Sequence, residues 1–217
     1  MSSIYQVKRA DRTITFDAGY DSELWNKADE VKVAYRFDRG GDFTPDVRVK
    51  MLYDDKRICG FFKVEDRYVV ARAKANQEQV CQDSCVEFFV KPFGAEKYFN
   101  FEMNCGGTIL LYHIGDLKQG FDLVPEEDLA TIERYHTLPK NIDPEIAEPT
   151  TWYLGFGIPI AFFEKYSKIS PALSGQVWRA NFTKCADKCS HPCWLSWQEF
   201  QICNFHQPQH FGEIAFE

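Results

Sequence analysis

Apolar and polar residues alternate with a period of two along two neighbouring segments of this chain, residues 85–91 (CVEFFVK) and 98–104 (YFNFEMN). This period is typical of β-strands with one buried face. The intervening residues, PFGAEK, include proline and glycine, which favours a hairpin. The apolar face of the predicted hairpin carries Val86, Phe88, Val90, Phe99, Phe101 and Met103.

The polar face of this hairpin places two acidic residues against each other. If the turn is centred on residues 94–95, Glu87 lies opposite Glu102 and Phe89 lies opposite Asn100. Like charges in directly opposed positions destabilise a ladder, and two close carboxylates raise the pKa of one of them. A sheet that served stability alone would avoid this pair, so we interpret the polar face as a ligand-binding surface.

Short alternating segments separated by turn residues continue along the chain. Short helices are expected at residues 21–25 and 160–166, whereas residues 115–127 are expected to be irregular. Many short strands with little helix predict an all-β fold, an antiparallel β-sandwich of jelly-roll or immunoglobulin-like topology, in a single domain of residues 1–217. The further strands are expected at residues 12–17, 30–38, 46–53, 58–64, 108–114, 129–136, 151–160, 177–183 and 211–217.

Composition and charge limit the classes of partner that the protein is expected to bind. The chain has 217 residues, of which 45% are hydrophobic and 16% aromatic, and its net charge is −7. An acidic protein is a poor match for nucleic acid or an anionic membrane, so we expect neither as a partner. No apolar run approaches the roughly 18–20 residues that span a bilayer. The first residues lack a signal-peptide core, so we expect a cytoplasmic protein or a mature exported form without its leader.

Carbohydrate recognition fits the polar face best. Sugars pack their C–H surface on aromatic rings and bond their hydroxyls to planar polar side chains. The polar face supplies such side chains, and the C-terminal region supplies Trp194, Trp197 and Phe205. Most large aromatic residues belong to a core. Phe205 is the best candidate for an exposed platform because it follows Asn204 in a loop before the last strand.

Five blocks of the sequence follow one another in a recognisable order: residues 83–90, 98–104, 152–159, 177–182 and 204–212. In this order they resemble the family 9 carbohydrate-binding modules and their DOMON-like relatives, most of all the stand-alone bacterial members. This resemblance implies a β-sandwich that binds mono- or oligosaccharides, in some members between two aromatic rings and in some with structural calcium. It also implies that the family's first ring falls near Cys81 of this chain and its second near Phe205, and that Glu87 matches a glutamate that bonds sugar hydroxyls.

We therefore predict a non-catalytic carbohydrate-binding protein without a cofactor, linked to polysaccharide breakdown and to a glycoside hydrolase partner. We expect the carboxylates of Glu87 and Glu102 and the amide of Asn104 to hold sugar hydroxyls, and the ring of Phe205 to act as a stacking platform. His206 and Trp197 should make lesser contacts, with Arg179 and Asn181 as further contributors.

An enzyme is the first alternative, since Glu87 and Glu102 provide the two carboxylates that a glycosidase needs. Two side chains on one flat face do not bracket a bond from opposite sides, which disfavours catalysis. Haem, the ligand of some DOMON-like domains, needs axial ligands, and both Met51 and Met103 fall on predicted core faces.

Metal binding is the remaining alternative. Cysteine and histidine between residues 185 and 193 could hold zinc, although their spacing is looser than in a zinc knuckle. Acidic runs at residues 54–55 and 126–128 could hold structural calcium. Eight cysteines permit disulfides, but a chain without a leader favours free thiols, with Cys59, Cys85 and Cys105 as small core residues. The candidate zinc ligands are Cys185, Cys189, His191 and Cys193, with His206 or His210.

Overall fold

The computed structural model describes residues 4–115 and 120–217, which form two β-sheets and two short helices. Single 3₁₀ turns cover Trp25–Lys27, Val80–Gln82 and Pro208–His210. The helices are α1 (Glu126–Leu129) and α2 (Ile160–Ser167). The strands are β1 (Ile4–Arg9), β2 (Glu30–Lys32), β3 (Tyr35–Arg36), β4 (Asp46–Tyr53), β5 (Arg57–Ala71), β6 (Cys85–Lys91), β7 (Tyr98–Asn104), β8 (Ile109–Ile114), β9 (Asp122–Leu123), β10 (Glu133–His136), β11 (Ile142–Pro159), β12 (Val177–Cys185), β13 (Trp194–Ser196) and β14 (Gly212–Phe216).

The two sheets share strand β1 along one edge. In the front sheet the order is β1-β14-β12-β6-β7-β8-β9, with β13 on β12 and β3 on β13. In the back sheet the order is β10-β11-β5-β4-β1, with β2 on β4. Strand β1 runs parallel to both β14 and β4, and the other described pairings are antiparallel. The predicted antiparallel β-sandwich is thus confirmed apart from the two pairings of β1.

The main core lies between the sheets because each strand turns alternate apolar side chains inward. The ring of Phe88 in β6 stacks on Phe156 of β11 with centroids 5.3 Å apart. Phe62 of β5 meets Phe182 of β12 edge to face at 6.1 Å. The apolar face predicted for the central hairpin is fully buried in this core. Each such ring contributes about 1.5–3 kcal/mol of transfer free energy, so the pattern fixes which face of β6 turns outward.

The expected strand at residues 12–17 is not formed. Its alternation instead buries Ile14 and Phe16 in a small apolar cluster that includes Phe61. Phe16 stacks on Trp25 at 5.5 Å, and Trp25 lies in a 3₁₀ turn where a helix was expected at residues 21–25. In residues 12–17 the period of two therefore reflects the burial of alternate side chains, although the segment pairs with no described strand.

Several other boundaries also differ from the sequence expectation. Strand β9 and the start of α1 fall in the segment expected to be irregular, and the strand expected at residues 129–136 forms only as β10. Residues 30–38 divide into β2 in the back sheet and β3 in the front sheet, because Val31 joins the main core and Phe37 a second cluster. Strands β5 and β11 are longer than expected because they pair with each other along most of their length. The expected helix at residues 160–166 is confirmed as α2. Of the segment expected to be irregular, residues 116–119 lie outside the described residues.

No described helix is both long and apolar enough to cross a bilayer.

Candidate functional site

A pocket of about 350 Å³ lies on the outer face of the front sheet, over β6 and β7. Its floor is formed by the outward-facing side chains of β6, β7 and β12, whose inward-facing neighbours belong to the main core. Its walls come from loops and from neighbouring strands. The residues used below are Glu87, Asn100, Glu102 and Cys185 on the floor, and Arg39, Cys81, Phe121, Asp187, Trp194, Cys203, Phe205 and His206 around it.

The register of the central hairpin is the predicted one. Glu87 pairs with Glu102, and Phe89 pairs with Asn100. Loops cover this face, so Glu87 is only 3% exposed and Glu102 only 6%. The polar face is therefore the floor of a recess and not an open sheet surface.

Glu87 is held by two donors from the adjacent strand β12. The Thr183 hydroxyl donates to one carboxyl oxygen at 2.7 Å, and the Cys185 thiol donates to the other at 3.0 Å. Burial raises the pKa of Glu87 to about 7, because removal from water disfavours the anion more than these two donors favour it.

Glu102 and Asn100 present two acceptors without partners. The Asn100 amide donates to Glu102 Oε1 at 2.7 Å. Glu102 Oε2 and Asn100 Oδ1 are buried and have no hydrogen-bond partner within the described structure. Burial, followed by the nearby charges of Glu87 and Asp187, raises the pKa of Glu102 well above its usual value. Buried polar atoms are nearly always bonded, so this pair of atoms marks a place for a ligand's donors.

Trp194 forms part of one wall and is fixed by two charged groups. Its indole nitrogen donates to Asp187 Oδ1 at 2.8 Å. The Arg39 guanidinium lies 4.2 Å from the ring centroid, within cation–π distance. Burial raises the pKa of Asp187, while Trp194 and Arg39 lower it. Indole, guanidinium and carboxyl thus offer an aromatic surface and polar groups side by side.

His206 and Phe121 form a second aromatic wall. Their rings stack with centroids 4.9 Å apart, and Phe121 is 43% exposed. Burial lowers the pKa of His206 to about 4. The imidazole is therefore neutral at pH 7, and its Nδ1 shares a hydrogen bond with the Tyr98 hydroxyl at 3.0 Å.

Of the six predicted ligand contacts, Glu87, Glu102, Phe205 and His206 line this pocket. Phe205 is not the exposed platform that was expected, because only 9% of it is exposed and its ring packs 5.8 Å from Phe37. The exposed ring is Phe121.

Asn104 and Trp197 do not line the pocket. The Asn104 amide donates to Asp83, and its oxygen accepts the backbone amide of Thr108 at 2.9 Å, which fastens the turn after β7. Trp197 packs against Phe182 at 5.4 Å, next to the main core. Both side chains are occupied structurally, so we leave them out of the proposed binding site.

The two further contributors also bond within the fold. Arg179 donates to the Phe211 carbonyl. Asn181 donates to the Ser196 hydroxyl at 2.9 Å. These bonds fix the segments that flank β12 and leave neither side chain on the pocket lining.

The predicted zinc ligands do not come together. Among the described residues, the cluster that could hold a metal is Cys85, Glu87 and Cys185. His191 instead stacks on a tyrosine, and Cys193 accepts from a buried lysine. The sequence spacing failed as a guide because the partner of Cys185 lies on a neighbouring strand.

The residues considered for calcium and haem have other roles. Asp54 accepts two backbone amides of its own turn, and Asp128 pairs with Lys165 at 2.7 Å. Calcium at these acidic segments stays a prediction. Met51 and Met103 are fully buried, which confirms their place on the core faces.

Three wall residues, Arg39, Phe121 and Asp187, were not predicted from the sequence. Arg39 and Asp187 lie in loops that are distant along the chain from the central hairpin, and Phe121 lies in the connection between β8 and β9. No local pattern distinguishes them from other loop residues. On this side of the pocket, the sequence signal was the segment at residues 194–197, whose tryptophans Trp194 and Trp197 were considered as aromatic contacts.

Comparison with known proteins places the chain among sugar-binding modules. The family model described as carbohydrate-binding family 9 matches residues 26–216, a range that contains all five blocks of the sequence resemblance. A structure of a candidate carbohydrate-binding protein from Bacteroides uniformis is 28% identical, with all of both chains covered and a TM-score of 0.89.

Two structures of a family 9 module from Caldicellulosiruptor kristjanssonii share the fold at lower identity. The glucose complex is 12% identical, covers 99% of this chain and 96% of the other, and has a TM-score of 0.66. The cellotriose complex is 13% identical, covers 99% and 94%, and has a TM-score of 0.67. No curated protein matches the chain.

Proposed function

We propose that the pocket binds a mono- or oligosaccharide without cleaving it, because this chain belongs to carbohydrate-binding family 9. One observation carries the assignment to this pocket. Two buried acceptor atoms, Glu102 Oε2 and Asn100 Oδ1, lie on the floor without partners, and aromatic rings stand beside them.

Sugar hydroxyls are suitable partners for these acceptors. Each hydroxyl can donate one hydrogen bond and accept others. Neighbouring hydroxyls of one ring could reach both Glu102 and Asn100, whose side chains are already joined by a 2.7 Å hydrogen bond. Because a buried unsatisfied polar group costs about 1–3 kcal/mol, a ligand that satisfies it regains that free energy on binding.

The charges of the floor and walls favour a neutral ligand over an anionic one. Glu87, Glu102 and Asp187 all line the pocket, whereas the basic side chain on its lining is Arg39. Desolvation raises the pKa of each of these acids. A phosphate or carboxylate ligand would bring a further negative charge among acidic groups that already resist ionisation, whereas a neutral polyhydroxylated ligand adds no charge.

The rings supply the apolar part of sugar recognition. Trp194 stands on one wall, and Phe121 stacks on His206 on another. Aromatic faces pack well against the C–H surface of a pyranose, and they hold the ring while the hydroxyls are oriented. The pocket volume of about 350 Å³ lies at the lower end of the range for small-molecule sites, about 300–1,000 Å³.

The ligands of the related module support glucose-based sugars as the first candidates. Structures of the Caldicellulosiruptor kristjanssonii module hold glucose and cellotriose. Sequence identity to that module is low, so the sugar bound by this chain has to be established on the chain itself.

Catalysis is not part of the proposal. Glu87 and Glu102 are cross-strand neighbours on one floor, so they approach a ligand from the same side. A glycosidase needs its two carboxyl groups on either side of the scissile bond. A protein that binds sugar without cleaving it can serve by localising a catalyst, and we propose a glycoside hydrolase as that partner.

Isothermal titration calorimetry with glucose, cellobiose and cellotriose, on protein kept in a chelator, tests this function. We expect saturable heat with at least one of them. Glu102→Leu keeps a similar volume and removes the acceptor, and it should weaken binding about 10- to 100-fold, the equivalent of about 1.5–3 kcal/mol.

Trp197→Phe is the matched control, since this aromatic residue lies outside the pocket, and it should bind as the wild type does. Circular dichroism establishes that both variants are folded. The absence of heat across glucose-, xylose- and galactose-based sugars would count against sugar binding, and unchanged affinity in folded Glu102→Leu would count against this pocket.

A further inference from the structure

Three metal-ligating side chains meet at the floor of the pocket: Cys85, Glu87 and Cys185. One donor atom of each lies within 4.8 Å of the other two, and all three residues are buried. In the register of β6 and β12, Cys85 lies opposite Cys185, and Glu87 lies two residues further on. Since side chains two residues apart in a strand share a face, the sheet itself brings the three together.

We propose that this cluster binds a thiophilic divalent cation, for which Zn²⁺ is the fitting ion. Two thiolates and a carboxylate are ligands that zinc accepts, whereas calcium and magnesium require oxygen ligands. Zinc bond lengths of about 2.0–2.3 Å in a tetrahedron place ligand atoms about 3.5–3.8 Å apart. Cys185 Sγ and Glu87 Oε1 are 3.0 Å apart, so this pair of ligand atoms needs to separate by only about 0.5 Å to reach the tetrahedral spacing.

The charge of the site also suits a cation. Glu87 is a buried carboxyl whose donors are a neutral hydroxyl and a neutral thiol, and no cationic side chain among the described residues contributes to its pKa. Buried charges are normally paired or bound to metal. A second acid, Glu102, lies directly across the hairpin, and a bound cation would favour the ionised form of both carboxyl groups.

The ion has a route to the site. Glu87 and Cys185 line the solvent-accessible pocket, and Cys85 lies behind them. Three protein ligands leave a fourth position toward the pocket, which water can take.

Ion binding releases protons. Zinc binds the deprotonated thiolate, so loading of the site displaces the thiol protons of Cys85 and Cys185, and binding should strengthen as the pH rises.

Cobalt titration of the full chain, reduced and freed of metal by chelator dialysis, tests the site. We expect thiolate-to-cobalt charge-transfer absorption that saturates at one ion per chain and disappears when Zn²⁺ displaces the cobalt. Cys85→Ser and Cys185→Ser should each weaken binding about 100-fold or more. Cys203→Ser is the control because this cysteine lines the pocket outside the cluster.

Circular dichroism establishes that each variant is folded. Glu87→Gln keeps the shape of the side chain and removes a charged ligand, so it tests the site should a cysteine variant unfold, with binding expected to weaken at least about tenfold. Lack of a charge-transfer band, or a cobalt affinity that is unchanged in folded Cys185→Ser or Glu87→Gln, would overturn the metal site. Sugar binding is measured in chelator, so its outcome is independent of this one.

Discussion

The buried imidazole of His206 makes the stability of the protein depend on pH in a predictable direction. Its pKa is lowered to about 4 in the folded protein because burial disfavours the charged ring. In the unfolded chain a histidine titrates near its ordinary value of about 6.5. Between these values the unfolded chain binds more protons, so stability is complete above about pH 6.5 and declines as the pH falls toward 4.

Replacement of His206 by phenylalanine removes this titration and keeps a ring against Phe121. Because the two pKa values differ, the free energy of unfolding of the wild type should fall by about 2 kcal/mol from pH 7 to pH 5. This is an upper value, since the ring is partly accessible to water. At pH 7 we expect His206→Phe to be less stable by about 1–3 kcal/mol, because the Tyr98 hydroxyl loses its hydrogen-bond partner. At pH 5 this deficit should shrink by up to about 2 kcal/mol.

Urea unfolding of both proteins at pH 7, 6 and 5, followed by circular dichroism, measures the difference. The pKa of His113 is also lowered to about 4, but His113 is common to both proteins and cancels in the comparison. His210→Phe removes an exposed imidazole of the same loop as a control. A stability difference between His206→Phe and wild type that stays constant from pH 7 to pH 5 would refute the reasoning.

Three further substitutions test the walls and the packing. Trp194→Ala should weaken sugar binding about tenfold in calorimetry, since about 1.5 kcal/mol of ring packing is lost, and unchanged affinity would remove this wall from the site. Lys184→Met should cost about 3–5 kcal/mol in urea unfolding, because Asp66 is left buried without its partner 3.2 Å away, and adding Asp66→Asn should recover most of it. If the double variant is as unstable as the single one, the ion pair is not the cause. Gly60→Ala should lower stability by about 1–3 kcal/mol, because the added methyl would overlap the Phe156 ring on the paired strand, and a melting temperature equal to that of wild type would contradict this.

The sequence determined the central hairpin in detail. A period of two fixed which face of β6 and β7 is buried, and the length of the turn fixed the register that pairs Glu87 with Glu102. Both follow from local geometry, because neighbouring side chains in a strand point to opposite faces. The family resemblance added the sandwich and the class of ligand, and the match over residues 26–216 confirms that family.

The tertiary structure alone decided what surrounds those two carboxyl groups. Arg39 and Asp187 reach the pocket from loops far from the hairpin along the chain, and Phe121 reaches it from the connection between β8 and β9. Phe205 was expected in the open and is buried, because a second apolar cluster forms on the outer face of the front sheet and takes up its ring. Period and spacing describe only neighbours along the chain, so they could not foresee which loop closes over which strand. The pairing of Cys185 with Cys85 depended in the same way on β12 lying beside β6.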